Sequence, residues 1–122
     1  MSDNKFNVTI FQDEFWALGV KVTDQETGDA VDFTGFTGEL VIRSSVDAAD
    51  TLIRKPVTFP SGDPDKQIEI TLTATESDNL VVENKETLVN YEVKVWDPND
   101  RDGTADIILW GLMKVLPSVS RV

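Results

Sequence analysis

Oxygen-rich side chains crowd one segment of the chain, Asp97-Pro98-Asn99-Asp100-Arg101-Asp102-Gly103, and their chemistry would be that of a hard cation held in a loop. A calcium loop needs several oxygens around a sharp glycine turn and a closing glutamate. Here Arg101 stands where a ligand belongs, the glycine comes late, and no glutamate follows at the closing distance. The segment therefore reads as a hydrated hairpin loop whose Asp and Asn side chains satisfy their own backbone, and Asp63 and Asp65 read the same way. The adjacent carboxylates Asp13 and Glu14 fall on opposite sides of an extended chain, which separates them for acid–base work. Ser2-Asp3-Asn4-Lys5 fits an SxxK spacing without the companion motifs, and Asn7-Val8-Thr9 is a glycosylation sequon inside a strand pattern; both read as chance. No histidine and no cysteine occurs in the chain. Ser-His-Asp and Cys-His catalysis, thiolate zinc sites and disulfides are thereby excluded. The expectation is a protein that is not an enzyme, with no catalytic residues, no metal ligands and no cofactor.

Trp16, Trp96 and Trp110 would form a sugar-stacking platform if they lay exposed in a line on one sheet face, which is the prediction of a carbohydrate-binding or adhesion module. Aromatics are favoured in strands and carry large burial energies, so the three read first as core or interface residues. In the last third of the chain Ile107, Leu109, Gly111, Met113 and Val115 alternate with Ile108, Trp110, Leu112 and Leu116, with Lys114 the polar exception. A strand apolar on both faces either lies between two layers or offers one face to a partner. Ile108, Trp110, Leu112 and Leu116 are accordingly the candidate protein–protein interface.

The elements that must position these residues are strands. Val89, Tyr91, Val93 and Val95 alternate with Asn90, Glu92 and Lys94, so 88–96 and 105–116 make a long antiparallel hairpin around the acidic loop. Phe6, Val8 and Ile10 predict a first strand, Trp16 to Val22 a second, and Leu40 with Ile42 a third, preceded by a bend or bulge at Gly35 and Gly38. Leu52 to Phe59 is a strand interrupted by Pro56, a residue suited to an edge or a bulge. Ile68, Ile70 and Leu72 form another strand. Thr73-Ala74-Thr75-Glu76 has capping-box spacing and predicts one helical turn over Ser77 to Leu80. Gly28, in the turn 24–29, is placed to take positive φ. Seven or eight short strands separated by Gly, Pro and Asp turns predict an all-β, two-sheet sandwich of one domain over residues 1–122.

The net charge of −11, from 22 acidic and 11 basic residues, opposes phosphate backbones and anionic membrane surfaces, so neither direct nucleic-acid binding nor membrane binding is expected. The first residues are polar, and no apolar run reaches spanning length, which predicts a soluble chain synthesised in the cytoplasm.

Asp32-Phe33-Thr34-Gly35, Ile42-Arg43, Ile70 to Glu76, Tyr91-Glu92-Val93 with Trp96-Asp97, Leu109-Trp110-Gly111, Val115-Leu116-Pro117 and Val119-Ser120-Arg121 follow in an order that resembles small immunoglobulin-like domains of tailed-phage virion proteins. The resemblance spans most of the chain. It departs at 81–86, where the family commonly has a shorter glycine-containing turn. It implies an immunoglobulin-like antiparallel β-sandwich with one short helical turn, residing in the virion after synthesis in the host cytoplasm. It further implies an assembly adaptor at the tail, baseplate or neck that anchors fibres or receptor-binding proteins, or alternatively a capsid decoration protein. The implied partners are other virion structural proteins, in a homo-oligomeric, symmetric assembly.

Overall fold

A computed structural model describes residues 5–23, 26–44, 51–60, 67–80 and 85–117. Seven strands and two short helices occur among them: β1 (Val8–Phe11), β2 (Trp16–Val20), β3 (Thr37–Arg43), β4 (Thr51–Pro56), β5 (Ile68–Leu72), α1 (Ala74–Asp78), β6 (Thr87–Trp96), α2 (Arg101–Thr104) and β7 (Asp106–Leu116). They form a five-stranded sheet in the order β1-β7-β6-β3-β4 and a two-stranded sheet of β2 and β5. The fold is the all-β sandwich that the alternating pattern predicts.

The long hairpin pairs Val89 with Met113, Tyr91 with Gly111 and Val93 with Leu109, so the inner parity of both strands meets across the ladder. Inner residues of β3 (Leu40, Ile42), β5 (Ile68, Ile70, Leu72) and β7 (Met113, Val115) are fully buried with them. Each such side chain contributes about 1.5–3 kcal/mol on leaving water, and the rows join into one core that holds the two layers together.

Two details differ from the expected all-antiparallel arrangement with a single helical turn. β1 runs parallel to β7, pairing Val8 with Met113 and Ile10 with Val115. The chain then crosses to the second layer through residues 12–15 to begin β2, which leaves β1 on the same sheet as the last strand. The acidic loop also contains α2, capped by Asp100, whose side chain accepts from the Gly103 N–H.

The capping box is present as the spacing predicts: the Thr73 hydroxyl accepts from the Glu76 N–H, and the Glu76 carboxylate accepts from the Thr73 N–H. Helix α1 starts at Ala74, before the expected Ser77, because the two box residues themselves bracket its first turn. Pro56 ends β4, an edge strand, where a missing donor is tolerated. Gly28 and Gly35 take φ +76° and +82° in turns. Gly38 instead lies within β3, where a Cβ would come 2.9 Å from the Lys94 carbonyl oxygen.

Candidate functional site

The outer face of the five-stranded sheet is set by parity. On β6 the residues between the buried ones are Leu88, Asn90, Glu92, Lys94 and Trp96. The ladder places Leu88 opposite Lys114, Asn90 opposite Leu112 and Glu92 opposite Trp110, while Phe11 of β1 lies beside Leu116. Residues diagonal across such a pair are about 7–8 Å apart, so Leu88 neighbours both Leu112 and Leu116. The face is thus divided. One end exposes Phe11, Leu88 and Leu112, at 49, 52 and 37 % exposure, with Lys114 between Leu112 and Leu116 on β7, opposite Leu88 and 4.0 Å from Glu86. The middle and far end are laced with charge: Arg43 pairs with Glu92 at 3.4 Å, and Arg54 pairs with Glu39.

Three of the four expected interface residues share this face. Leu112 is exposed, and Trp110 and Leu116 are half-buried. Trp110 is flanked by Glu92 across the ladder and by the Lys5 ammonium, 5.4 Å from its ring centroid. Ile108 is a correction: it is 5 % exposed and belongs to the core. The register between β6 and β7 shifts so that Val93 pairs with Leu109 but Lys94 pairs with Ile107. Ile108 is the extra residue of a bulge, and the bulge turns it inward beside Leu109 while Ile107 takes the outer position.

Leu88 and Phe11 complete the exposed apolar group and were not among the expected residues. Leu88 carried a signal, since it shares the parity of Asn90, Glu92 and Lys94 and is, with Trp96, apolar in that row. Phe11 carried none, because its position follows from the parallel pairing of β1 with β7.

The tryptophans do not align. Trp16 stands in the two-stranded sheet, opposite Leu72, and Trp96 is covered by the Arg101 guanidinium 4.5 Å from its ring centroid. The acidic loop holds itself: Asp97 Oδ1 accepts from the Asn99 N–H at 2.9 Å, and the Thr104 hydroxyl lies 2.7 Å from the Asp100 carbonyl oxygen. Among the described residues no three acidic side chains gather at metal-binding distance. Asp63 and Asp65 lie outside the described residues, as do Ser2, the inserted 81–84 and the resemblance residues 119–121. Asn7 of the sequon has a structural partner, its side-chain oxygen accepting from the Leu112 N–H at 3.0 Å.

Two buried polar residues that the sequence did not mark tie the layers together. Ser77 is fully buried, and its hydroxyl accepts from the Glu14 N–H at 3.2 Å and lies 2.9 Å from the Glu14 carbonyl oxygen. Gln12, 4 % exposed, donates to Asp78 at 2.9 Å while its own N–H reaches the Leu116 carbonyl. Asp13, between them, takes φ +64° to make the crossing. On the opposite flank Lys55 of β4 reaches Glu76 of α1 at 2.7 Å. Burial raises the Glu76 pKa, but the hydrogen bonds from Lys55 and the Thr73 N–H and the Lys55 charge outweigh it, holding the carboxyl below its ordinary value.

A cleft of about 340 Å³ lies at one end of the sandwich, walled by Phe33, Phe36, Phe59 and Asp32. Phe33 packs on Phe36 and Phe59 with centroids 5.8 and 5.9 Å apart, and Asp32 accepts from the Thr34 hydroxyl and N–H, which lower its pKa. No helix among the described residues is long and apolar enough to cross a membrane. No protein-family model matches the chain, and no curated protein is significantly similar to it.

Proposed function

We propose that the chain is a non-enzymatic structural protein of a tailed-phage virion, an assembly adaptor at the tail, baseplate or neck that anchors fibres or receptor-binding proteins. One observation supports the reading: the sheet presents Phe11, Leu88 and Leu112 near the Lys114–Glu86 pair at one end of a face whose remainder carries the pairs Arg43–Glu92 and Arg54–Glu39. Apolar side chains grouped beside a polar field are the usual anatomy of a contact with another protein. Trp110 and Leu116 border the group, and aromatic anchors of this kind dominate interface energies. The charged remainder of the face, with Arg43–Glu92 and Arg54–Glu39 already paired within the domain, forms the polar rim.

The test is incorporation. A chain carrying Leu88→Asp and Leu112→Asp should keep its strand signature by circular dichroism, because both side chains are exposed, yet be lost from purified particles when it replaces the natural copy. Incorporation at the natural copy number would remove this face from the contact.

A further inference from the structure

The cleft walled by Phe33, Phe36, Phe59 and Asp32 is built from three anchored pieces of chain. The first is the turn 33–36, closed by the Phe36 N–H donating to the Phe33 carbonyl at 2.9 Å, with Gly35 at φ +82°. That turn sets Phe33 and Phe36 as neighbouring walls. The second is 58–59, where Thr58 and Glu69 exchange N–H···O bonds of 3.0 and 2.8 Å and so fix the backbone beside Phe59 against β5. The third is Gln67, whose amide nitrogen donates to the Val31 carbonyl at 2.6 Å while its oxygen accepts from the Val22 N–H. Its amide is thus engaged at both ends by the scaffold.

The rings do not stack. Phe36 stands at 73° and Phe59 at 46° to Phe33, with centroids 5.8 and 5.9 Å away, so the three form inclined walls around one space. An aromatic face carries negative charge density and attracts a cation held within about 6 Å of its centroid. The space, about 340 Å³, falls within the range of small-molecule sites, about 300–1,000 Å³. Asp32 is the one charged residue among the described residues that line it. Its Oδ1 accepts from the Thr34 N–H at 2.9 Å and from the Thr34 hydroxyl at 2.6 Å, which fixes the carboxylate beside the aromatic walls. Oδ2 accepts from no described residue.

We infer that this cleft binds a small quaternary ammonium compound of the choline type, its methyl groups against Phe33, Phe36 and Phe59 and its charge facing Asp32. Each feature of the lining narrows the ligand. The phenyl rings offer no acceptor to the N–H groups of a primary ammonium, whose desolvation would go uncompensated, whereas a methylated nitrogen has no such bonds to lose. A neutral molecule of the same shape gains neither the ring faces nor the carboxylate. No lysine or arginine is among the described residues that line the cleft, so a phosphate or carboxylate attached to the ligand would meet Asp32 without a partner of opposite charge. The lining thus selects a free cation over a phosphocholine headgroup. A net charge of −11 draws cations toward the whole domain, and the rings with Asp32 give the place. The inference stands apart from the virion reading, because it makes no use of the outer face of the large sheet.

The experiment titrates the full chain, at constant ionic strength, with choline, with its neutral carbon isostere dimethylbutanol, with ethanolamine and with phosphocholine, followed by calorimetry and amide chemical shifts. Choline should saturate the protein with shifts confined to 31–36, 59 and 67, and bind roughly tenfold tighter than each of the other three. Asp32→Asn changes an exposed side chain and keeps an oxygen for Thr34 to bond. It should lose most of the advantage of choline over the isostere while leaving the affinity of the isostere itself unchanged. Phe59→Leu should weaken choline more than the isostere, with the amide spectrum of β6 and β7 preserved. Choline binding that fails to saturate, that equals binding of the isostere, or that is unchanged in either variant would overturn the inference. Equal binding of ethanolamine would overturn it by reducing the site to simple charge attraction, and equal binding of phosphocholine would overturn it by giving the cleft to a lipid headgroup.

Discussion

Tyr91 and Gly111 face one another across β6 and β7 and serve a single contact, the approach of the N-terminal segment to the end of the sandwich. The Tyr91 hydroxyl donates to the Phe6 carbonyl, and a Cβ on Gly111 would stand 2.4 Å from that same oxygen. Backbone fills the space a side chain would need. Gly111→Ala should therefore cost about 1–3 kcal/mol in urea unfolding and release Phe6 from the Trp110 carbonyl that it now bonds at 2.8 Å; an effect within about 0.5 kcal/mol, ordinary for a surface change, would contradict the packing. Burial pushes the Tyr91 phenol up to about 12 from an ordinary 10.0. The folded state thus holds this proton more tightly than the unfolded one, so the contribution is intact below pH 10.0 and lost as pH rises toward 12. Tyr91→Phe should cost about 1 kcal/mol at neutral pH and remove that alkaline loss, as measured by unfolding at a series of pH values. A variant with the same alkaline slope as the parent would show that Tyr91 is not its source.

Helix α1 is short, yet it ties the two layers on both flanks, to Glu14 through Ser77 and to Lys55 through Glu76. Replacing Ser77 by alanine strands the Glu14 N–H and should cost about 1–3 kcal/mol in chemical denaturation, with faster exchange of the amides in 12–15; unchanged exchange there would show that the crossing does not depend on the hydroxyl. The Glu76 carboxyl has a lowered pKa, so its contribution is present above its ordinary value and disappears as pH falls through the folded one. Glu76→Gln should flatten the acid side of the stability profile, and an unaltered profile would assign the acid dependence to other carboxylates. At this scale the sequence was legible wherever a rule is local. Thr73-x-x-Glu76 announces its capping box, and Val89 to Val95 and Ile68 to Leu72 announce their inner faces by alternation. It was opaque where geometry depends on a distant partner. The bulge that turns Ile108 inward arises from registration against Val93 and Lys94, and no feature of β7 alone marks where parity breaks. The pairing of β1 with β7 joins residues about as far apart as the described chain allows, and with it the place of Phe11 was hidden.

At the scale of the molecule the sandwich separates its tasks. The inner rows provide cohesion, and the Ser77 and Glu76 ties fix the layers. The outer face of the large sheet carries paired charges along its length and, at one end, the side chains of Phe11, Leu88, Leu112 and Leu116 beside the Lys114–Glu86 pair. A net charge of −11 makes free copies repel one another, and in the proposed adaptor the exposed apolar side chains supply the opposing contact with a neighbour. That division is the physical ground for proposing an adaptor in a symmetric particle, and the adaptor reading is tested most directly by imaging. Electron cryo-microscopy of purified particles should show density for this sandwich at the tail, baseplate or neck, in a copy number matching the local symmetry, with Leu88 and Leu112 packed against a neighbouring subunit. Particles that lack the chain would contradict the account at its centre, and density on the capsid lattice alone would replace the adaptor by a decoration protein.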